Sequence, residues 1–169
     1  EQLSRVIRYD MALLTLCNDA TGGLDLYALH FPGEELFKLA RKSGSADGMP
    51  SAEAIATGKP VIVHDSELDR FPSPEYRRLF SLGFKSACSI PLVTPNRTLG
   101  TLEIARTSGE PWTGDDVDLL VQVSRQIAIA VENSLSYREL TEMKEKLATE
   151  KDAAARQKGA TPDRRRCLM

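Results

Sequence analysis

Short alternating segments fill the first two thirds of this chain, and one long helical segment fills the rest. Residues 11–17 are almost continuously apolar, and Asn18-Asp19-Ala20-Thr21-Gly22-Gly23 supplies the residues a turn requires. Leu24, Leu26 and Ala28 then alternate with Asp25, Tyr27 and Leu29. The two runs predict a β-hairpin, and a first strand apolar on both sides predicts a sheet covered on both faces. Leu3, Val6 and Ile7 stand at helical spacing ahead of it. Leu36, Lys38 and Ala40 alternate with Phe37 and Leu39 as a third strand would. A loop rich in Gly and Ser leads to a short helix over 51–57, with Ser51 as N-cap and Gly58 as the stop. Residues 60–64 read as a β-branched strand and 65–74 as an acidic loop. Ser73 can cap the next helix, with Pro74 at its first position and Tyr76, Leu79 and Phe80 on one face.

Residues 86–93 and 98–106 form a second predicted hairpin across Thr94-Pro95-Asn96-Arg97. Its alternation is informative. Cys88, Ile90 and Leu92 share one face, as do Leu102 and Ile104. Ala87, Ser89, Thr101 and Glu103 share the other. One face is therefore apolar core; the opposite one is small and polar, as a pocket floor or a solvated surface would be.

Thr113-Gly114-Asp115-Asp116 has the spacing of a capping box. No helix breaker follows until Gly159. Residues 117–131 are dense in Leu, Ile, Val and Ala and should pack on the sheet. Leu140, Met143 and Leu147 follow at 3,4 spacing among Glu and Lys, as a coiled-coil seam does. At 1.5 Å per residue this helix would exceed about 60 Å, which calls for a partner helix. Three segments are expected: a domain over 1–138, a coiled-coil signalling helix over 139–158, and a linker or disordered tail over 159–169.

The formal charge of −2 gives no whole-protein nucleic-acid footprint, although residues 142–169 hold eight Lys or Arg against five Asp or Glu. No apolar run approaches the roughly 20 residues of a membrane span, and no signal peptide opens the chain, so a cytoplasmic protein is expected. Cys17, Cys88 and Cys167 include no Cys-x-x-Cys pair and read as two strand thiols and one tail thiol. His30 and His64 are the two histidines, and neither neighbours a Ser or Cys nucleophile in sequence. No catalytic residue is assigned, and an enzyme is not expected.

Several phrases together carry a family likeness: Gly58-Lys59-Pro60-Val61, Ser86-Ala87-Cys88-Ser89-Ile90-Pro91-Leu92, Leu99-Gly100-Thr101-Leu102, and Trp112-Thr113-Gly114-Asp115-Asp116 before Gln126-Ile127-Ala128. Residues 51–140 resemble a GAF domain, and the first hairpin fits that family's first two strands. Val63-His64-Asp65 and Tyr137-Arg138-Glu139-Leu140 resemble the amino-terminal sensors of bacterial enhancer-dependent transcription activators, of the formate hydrogenlyase activator type. The effector domains of such activators are absent from this chain, which has no Gly-x-x-x-x-Gly-Lys-Ser/Thr. The resemblance implies an α+β fold with a central antiparallel sheet of five or six strands. Terminal helices would cover one face, and short helices and loops would form a small-molecule pocket on the other. Family members bind cyclic nucleotides, bilins, haem, iron or small metabolites, and many have no known ligand. The Asn-Lys-Phe-Asp-Glu signature of cyclic-nucleotide binders is missing.

The residues expected at that pocket are His64, Asp65, Arg70, Tyr76, Phe80, Ala87, Ser89, Thr101 and Glu103. His64 with Asp65, Glu67 and Asp69 has metal-ligating side chains, but the loop lacks the Gly and distal Glu of a calcium site, and no metal is assigned. His64 is otherwise a structural histidine closing its strand. Arg70, Arg77 and Arg78 can clamp an anion or form a solvated face. Tyr76 and Phe80 are the inward pair. Glu103 is an exposed sheet position, or a buried carboxylate that must bond a ligand or an arginine. The expected function is a small-molecule or ion sensor that signals as a homodimer through Leu140, Met143 and Leu147. Its ligand is unknown and no cofactor is named. The alternatives are a ligand-free dimerisation module and, from the family's reductases, a redox enzyme that would use Cys88.

Overall fold

The computed structural model describes residues 7–30 and 47–159. The strand expected over 36–40, the helix expected before residue 7 and the tail beyond 159 lie outside the described residues. Five strands form one sheet: β1 (Met11–Asn18), β2 (Gly23–His30), β3 (Val61–His64), β4 (Ser86–Val93) and β5 (Thr98–Arg106). Their order is β2-β1-β5-β4-β3, and every pairing is antiparallel. Helix α1 (Pro50–Thr57) precedes β3, a 3₁₀ turn (Asp65–Arg70) follows it, and α2 (Pro74–Ser81) leads into β4. Helix α3 (Gly114–Gly159) follows β5. This is the α+β architecture expected, with five strands among the described residues.

The two hairpins form where turn residues interrupt apolar or alternating runs, and their registers line up across the sheet. Leu13, Glu103 and Ser89 are cross-strand neighbours on β1, β5 and β4, and Thr15, Thr101 and Pro91 form the next row on that face. Pro91 has no amide to donate, and the β4–β5 register slips between Pro91 and Val93, the kind of place where a strand tolerates proline.

Each face has its own cover. Met11, Leu13, Val61, Val63, Ala87 and Ala105 join Ala54 of α1, Phe71, and Tyr76, Leu79 and Phe80 of α2 in one buried cluster. On the opposite face Cys88, Ile90, Leu92, Leu102 and Ile104 are all buried. Helix α3 starts on this second face, because Arg106 and Ser86, paired across β5 and β4, bind Asp116 and Trp112. Its Leu120, Ser124 and Ala128, at i, i+4 and i+8, are buried.

The helix ends follow their caps. Ser73 Oγ accepts the Tyr76 amide at 3.3 Å, with Pro74 opening α2. Thr113 Oγ1 accepts the Asp116 amide and Asp116 Oδ2 accepts the Thr113 amide, both at 3.1 Å, a reciprocal capping box for α3. Gly58 ends α1 in the left-handed region (φ 66°), its amide bonded to the Ala54 carbonyl. Ser51 departs from its expected role. Pro50 takes the first helical position, Met49 becomes the N-cap, and Ser51 is buried inside the first turn.

The chain forms two compact units, Glu1–Val131 and Glu132–Met169. In the second, every described side chain from Ser136 onward is exposed.

Among the described glycines, Gly100 leaves the least room for a side chain. A Cβ there would stand 1.9 Å from the Thr15 carbonyl oxygen and 2.8 Å from Leu16 Cα. Both neighbours are backbone of the paired strand β1, which cannot rotate away. Gly100→Ala should therefore cost about 3 kcal/mol, the upper end of overpacking penalties. Urea denaturation measures this, and a loss below about 1 kcal/mol would contradict the close approach.

Candidate functional site

The sheet face covered by α1 and α2 carries a polar strip among apolar residues. Strand alternation puts Thr101 and Glu103 of β5, Ser89 of β4 and Thr15 of β1 on that side. Thr101 Oγ1 donates to Glu103 Oε1 at 2.6 Å, and Ser89 Oγ donates to Glu103 Oε2 at 2.5 Å. Thr15 Oγ1 lies 2.6 Å from Thr101 Oγ1. A hydroxyl has one proton, so with Thr101 donating to Glu103 the Thr15 hydroxyl is the donor in that contact. The four side chains form a relay that converges on one carboxyl group.

Glu103 is 8% exposed, and among the described residues none of the groups acting on its titration is a cation. Burial pushes its carboxyl well above the usual carboxylate range, and the hydrogen bonds from Ser89 and Thr101 offset only part of that. Nearby, Tyr76 is 4% exposed and feels the Glu103 charge. Burial raises its phenol, Glu103 adds to the effect, and Tyr76 Oη has no hydrogen-bond partner among the described residues. Ser51 Oγ, on the helix that packs against β3, β4 and β5, is likewise buried and unpartnered. An unmade hydrogen bond at a buried hydroxyl costs about 1–3 kcal/mol, so two on one covered face need an explanation.

The expected site residues separate into two groups. Tyr76, Phe80, Ala87, Ser89, Thr101 and Glu103 lie on this covered face. His64, Asp65 and Arg70 do not. His64 pairs with Ser86 on the α3 side of the sheet, because Val61 and Val63 take the alternate positions facing α2. Asp65 is exposed and bound to Lys85 Nζ at 3.1 Å. Arg70 is exposed, reaches both Glu53 oxygens at 3.0 and 3.1 Å, and stacks on Phe71. Arg77 holds Asp69 in another exposed pair. Glu103 is not an exposed sheet position, and among the described residues no arginine pairs with it; hydroxyls take that place. Thr15 and Ser51 belong with the face but were not expected there.

Among the described residues, no three His, Cys, Asp or Glu side chains stand together as metal ligands. Cys17 and Cys88 do not form a redox pair. Ala12, Ile104 and Cys88 are aligned across three strands, and Cys17 lies five residues further along β1. That places Cys17 and Cys88 about 20 Å apart, far beyond the Cα separation of a disulfide. Burial pushes the Cys88 thiol up to about 12, Glu103 adding to the rise and Arg106 opposing it, so it holds its proton at neutral pH. Burial also raises Cys17.

The sequence model of the GAF domain matches residues 1–131. The formate hydrogenlyase transcriptional activator of Salmonella typhimurium strain SL1344 is 24% identical over 160 residues, covering 93% of this chain and 23% of that protein. The DNA-binding transcriptional activator HyfR of Escherichia coli K12 is 34% identical over 101 residues, 58% of this chain and 15% of HyfR. The chain thus spans under a quarter of the length of these relatives. Among solved structures, the GAF domain of a two-component sensor histidine kinase from Bacillus halodurans superposes with a TM-score of 0.68. It shares 21% identity, with 80% of this chain and 90% of that one covered.

The raised carboxyl of Glu103 fixes the sign of a stability effect. In the unfolded chain the group loses its proton near the ordinary glutamate value; in the folded chain it does so at higher pH. Its contribution is therefore fully present in acid and is lost as pH rises through the folded value. Glu103→Gln removes that loss, since one of the Ser89 and Thr101 hydroxyls can turn to accept from the amide NH2 while the other donates to the amide oxygen. The variant should be more stable than the parent at pH 7.5, by a margin that closes toward pH 4.5 with a slope of at most about 1.4 kcal/mol per pH unit. Urea midpoints at several pH values read the margin; a constant difference, or a variant weaker throughout, contradicts it.

Proposed function

The chain belongs to the GAF domain family, and from that premise we propose that it is the ligand-sensing regulatory domain of a bacterial transcription activator. It binds a small polar molecule or ion against the Glu103 face and signals through α3. One observation carries this reading. Among the described residues, a carboxyl group with no cation acting on it and two buried hydroxyls without partners share the side of the sheet under α1 and α2. Perturbed and unsatisfied polar groups collect where a protein meets a ligand. Carboxyl, phenol and hydroxyl groups suit a ligand rich in hydrogen-bonding atoms over an apolar one. Occupancy would bias a two-state arrangement by its differential affinity for the two states. The relatedness to transcription activators supplies the output: control of transcription.

The second half of α3 supplies the dimer in this proposal. Leu140, Met143 and Leu147 are 58%, 59% and 54% exposed and occupy successive a and d positions. Asn133 falls at the preceding a position in the same frame, where a polar residue fixes register and strand number. The occupant of the stripe is a second copy of the same helix. The domain boundaries at 138 and 158 belong to this proposal, with the seam inside 139–158.

A second reading has its own support. The cover over the Glu103 face includes Phe71, Tyr76, Leu79, Phe80 and Phe84, an apolar set that can fill the space without a ligand. The chain would then be a dimerisation module alone.

Thermal shift assays across metabolites, nucleotides and metal salts separate the two. A ligand at one hundred times its Kd adds about 2.7 kcal/mol to the parent. The sensing reading expects such a ligand and a response much reduced in Glu103→Gln. No response from any compound supports the module alone. For the seam, Leu140→Ser, Met143→Ser and Leu147→Ser combined should turn the dimer into a monomer by sedimentation velocity; an unchanged dimer contradicts it.

A further inference from the structure

Strand β5 presents two chemistries three residues apart. Glu103 faces the covered side, while Arg106, the last residue of the strand, faces the other and is 4% exposed. The Arg106 guanidinium is engaged at every nitrogen. Nε donates to the Arg8 carbonyl at 2.7 Å, Nη1 to the Pro111 carbonyl at 3.4 Å, and Nη2 to Asp116 Oδ2 at 3.1 Å. Its Cζ lies 3.8 Å from the centroid of the Trp112 ring. Trp112 Nε1 donates in turn to Ser86 Oγ at 3.1 Å, and Ser86 is the β4 neighbour of Arg106.

Asp116 ties this cluster to the helix start. The oxygen that meets Arg106 also accepts the Thr113 amide in the α3 capping box. Burial alone would raise the Asp116 carboxyl, but hydrogen bonds from Thr113 and Arg106 outweigh it and hold the group below its usual range. Arg106 thus joins three segments: the chain entering β1, the end of β5, and the first turn of α3.

We infer that Arg106 is a positioning residue that transmits the state of the Glu103 face to the first turn of α3, with Trp112 clamped between. The inference rests on the sensing reading of that face. β5 is the middle strand, paired on both edges by β1 and β4, so a displacement at Glu103 has no free edge to relax into. A ladder-bound strand carries such a displacement along itself, and Arg106 is three residues away. The fork geometry makes the link directional. A lysine keeps the charge but cannot make three divergent hydrogen bonds and stack on an indole at once.

Trp112 is the only tryptophan of the chain, so its fluorescence reports this place alone. The test compares emission maximum and acrylamide quenching in the full chain for the parent, Glu103→Gln, Arg106→Lys and the double variant. A role in structure alone moves Trp112 in Arg106→Lys whichever residue stands at 103. Transmission makes the effects non-additive: Glu103→Gln shifts Trp112 beside Arg106, and that shift is lost beside lysine. No shift in Glu103→Gln, or the same shift in both backgrounds, overturns the inference. If Arg106→Lys does not fold by circular dichroism, hydrogen exchange in Glu103→Gln alone decides. A changed rate at amides 117–120 supports transmission, and an unchanged rate overturns it. None of these measurements needs a ligand, so failure here leaves the sensing reading to its own binding assay. A ligand that binds without moving Trp112 removes the transmission and keeps the sensor.

Discussion

A carboxyl group held in the middle of a covered sheet, with hydroxyls for partners and no cation acting on it among the described residues, is the constraint around which this domain is arranged. Moving an ionised carboxylate from water into a protein interior is costly, and hydroxyl donors recover only part of the cost. Ser89 and Thr101 supply those donors, and Thr15 extends the relay to a third strand. A fold selected for stability alone would place an apolar residue at position 103, where Leu13 and Ala87 stand on the same face. Retaining an acid there is the kind of local sacrifice that proteins make at functional sites.

The antiparallel sheet converts that constraint into a two-sided device. Alternation gives each strand an inner and an outer set of side chains. On β5 the first set holds Thr101 and Glu103, and the second ends in Arg106. Short helices cover the first set, and α3 begins over the second. The apolar row of Cys88, Ile90, Leu102 and Ile104 belongs to this second face and is buried throughout. Close-packed rows transmit displacement, because a core has few voids in which to absorb it.

Much of this was legible in the amino-acid sequence, for local reasons. Both hairpins follow from apolar or alternating runs interrupted by turn residues. Ser73 with Pro74, Gly58, and Thr113 with Asp116 each mark a helix end by chemistry confined to a few neighbours. The face shared by Ala87, Ser89, Thr101 and Glu103 follows from period two alone. The misplaced residues depended on information that is not local. His64 needed the register with Ser86 to settle its face, and Arg70 needed the position of Glu53, seventeen residues earlier in the chain. Ser51 looked like a cap because capping is the common use of such a serine; Pro50 takes the first helical position and turns it inward. Thr15 was hidden in an apolar run, yet its period-two relation to Met11 and Leu13 was a usable signal.

The role of the covered face depends on the protonation behaviour of one side chain, Glu103. Carbon-13 NMR of protein labelled at glutamate Cδ resolves each carboxyl as pH is varied. One resonance, missing in Glu103→Gln, should titrate well above all the solvated glutamates. A Glu103 resonance that titrates together with the surface carboxylates would contradict it.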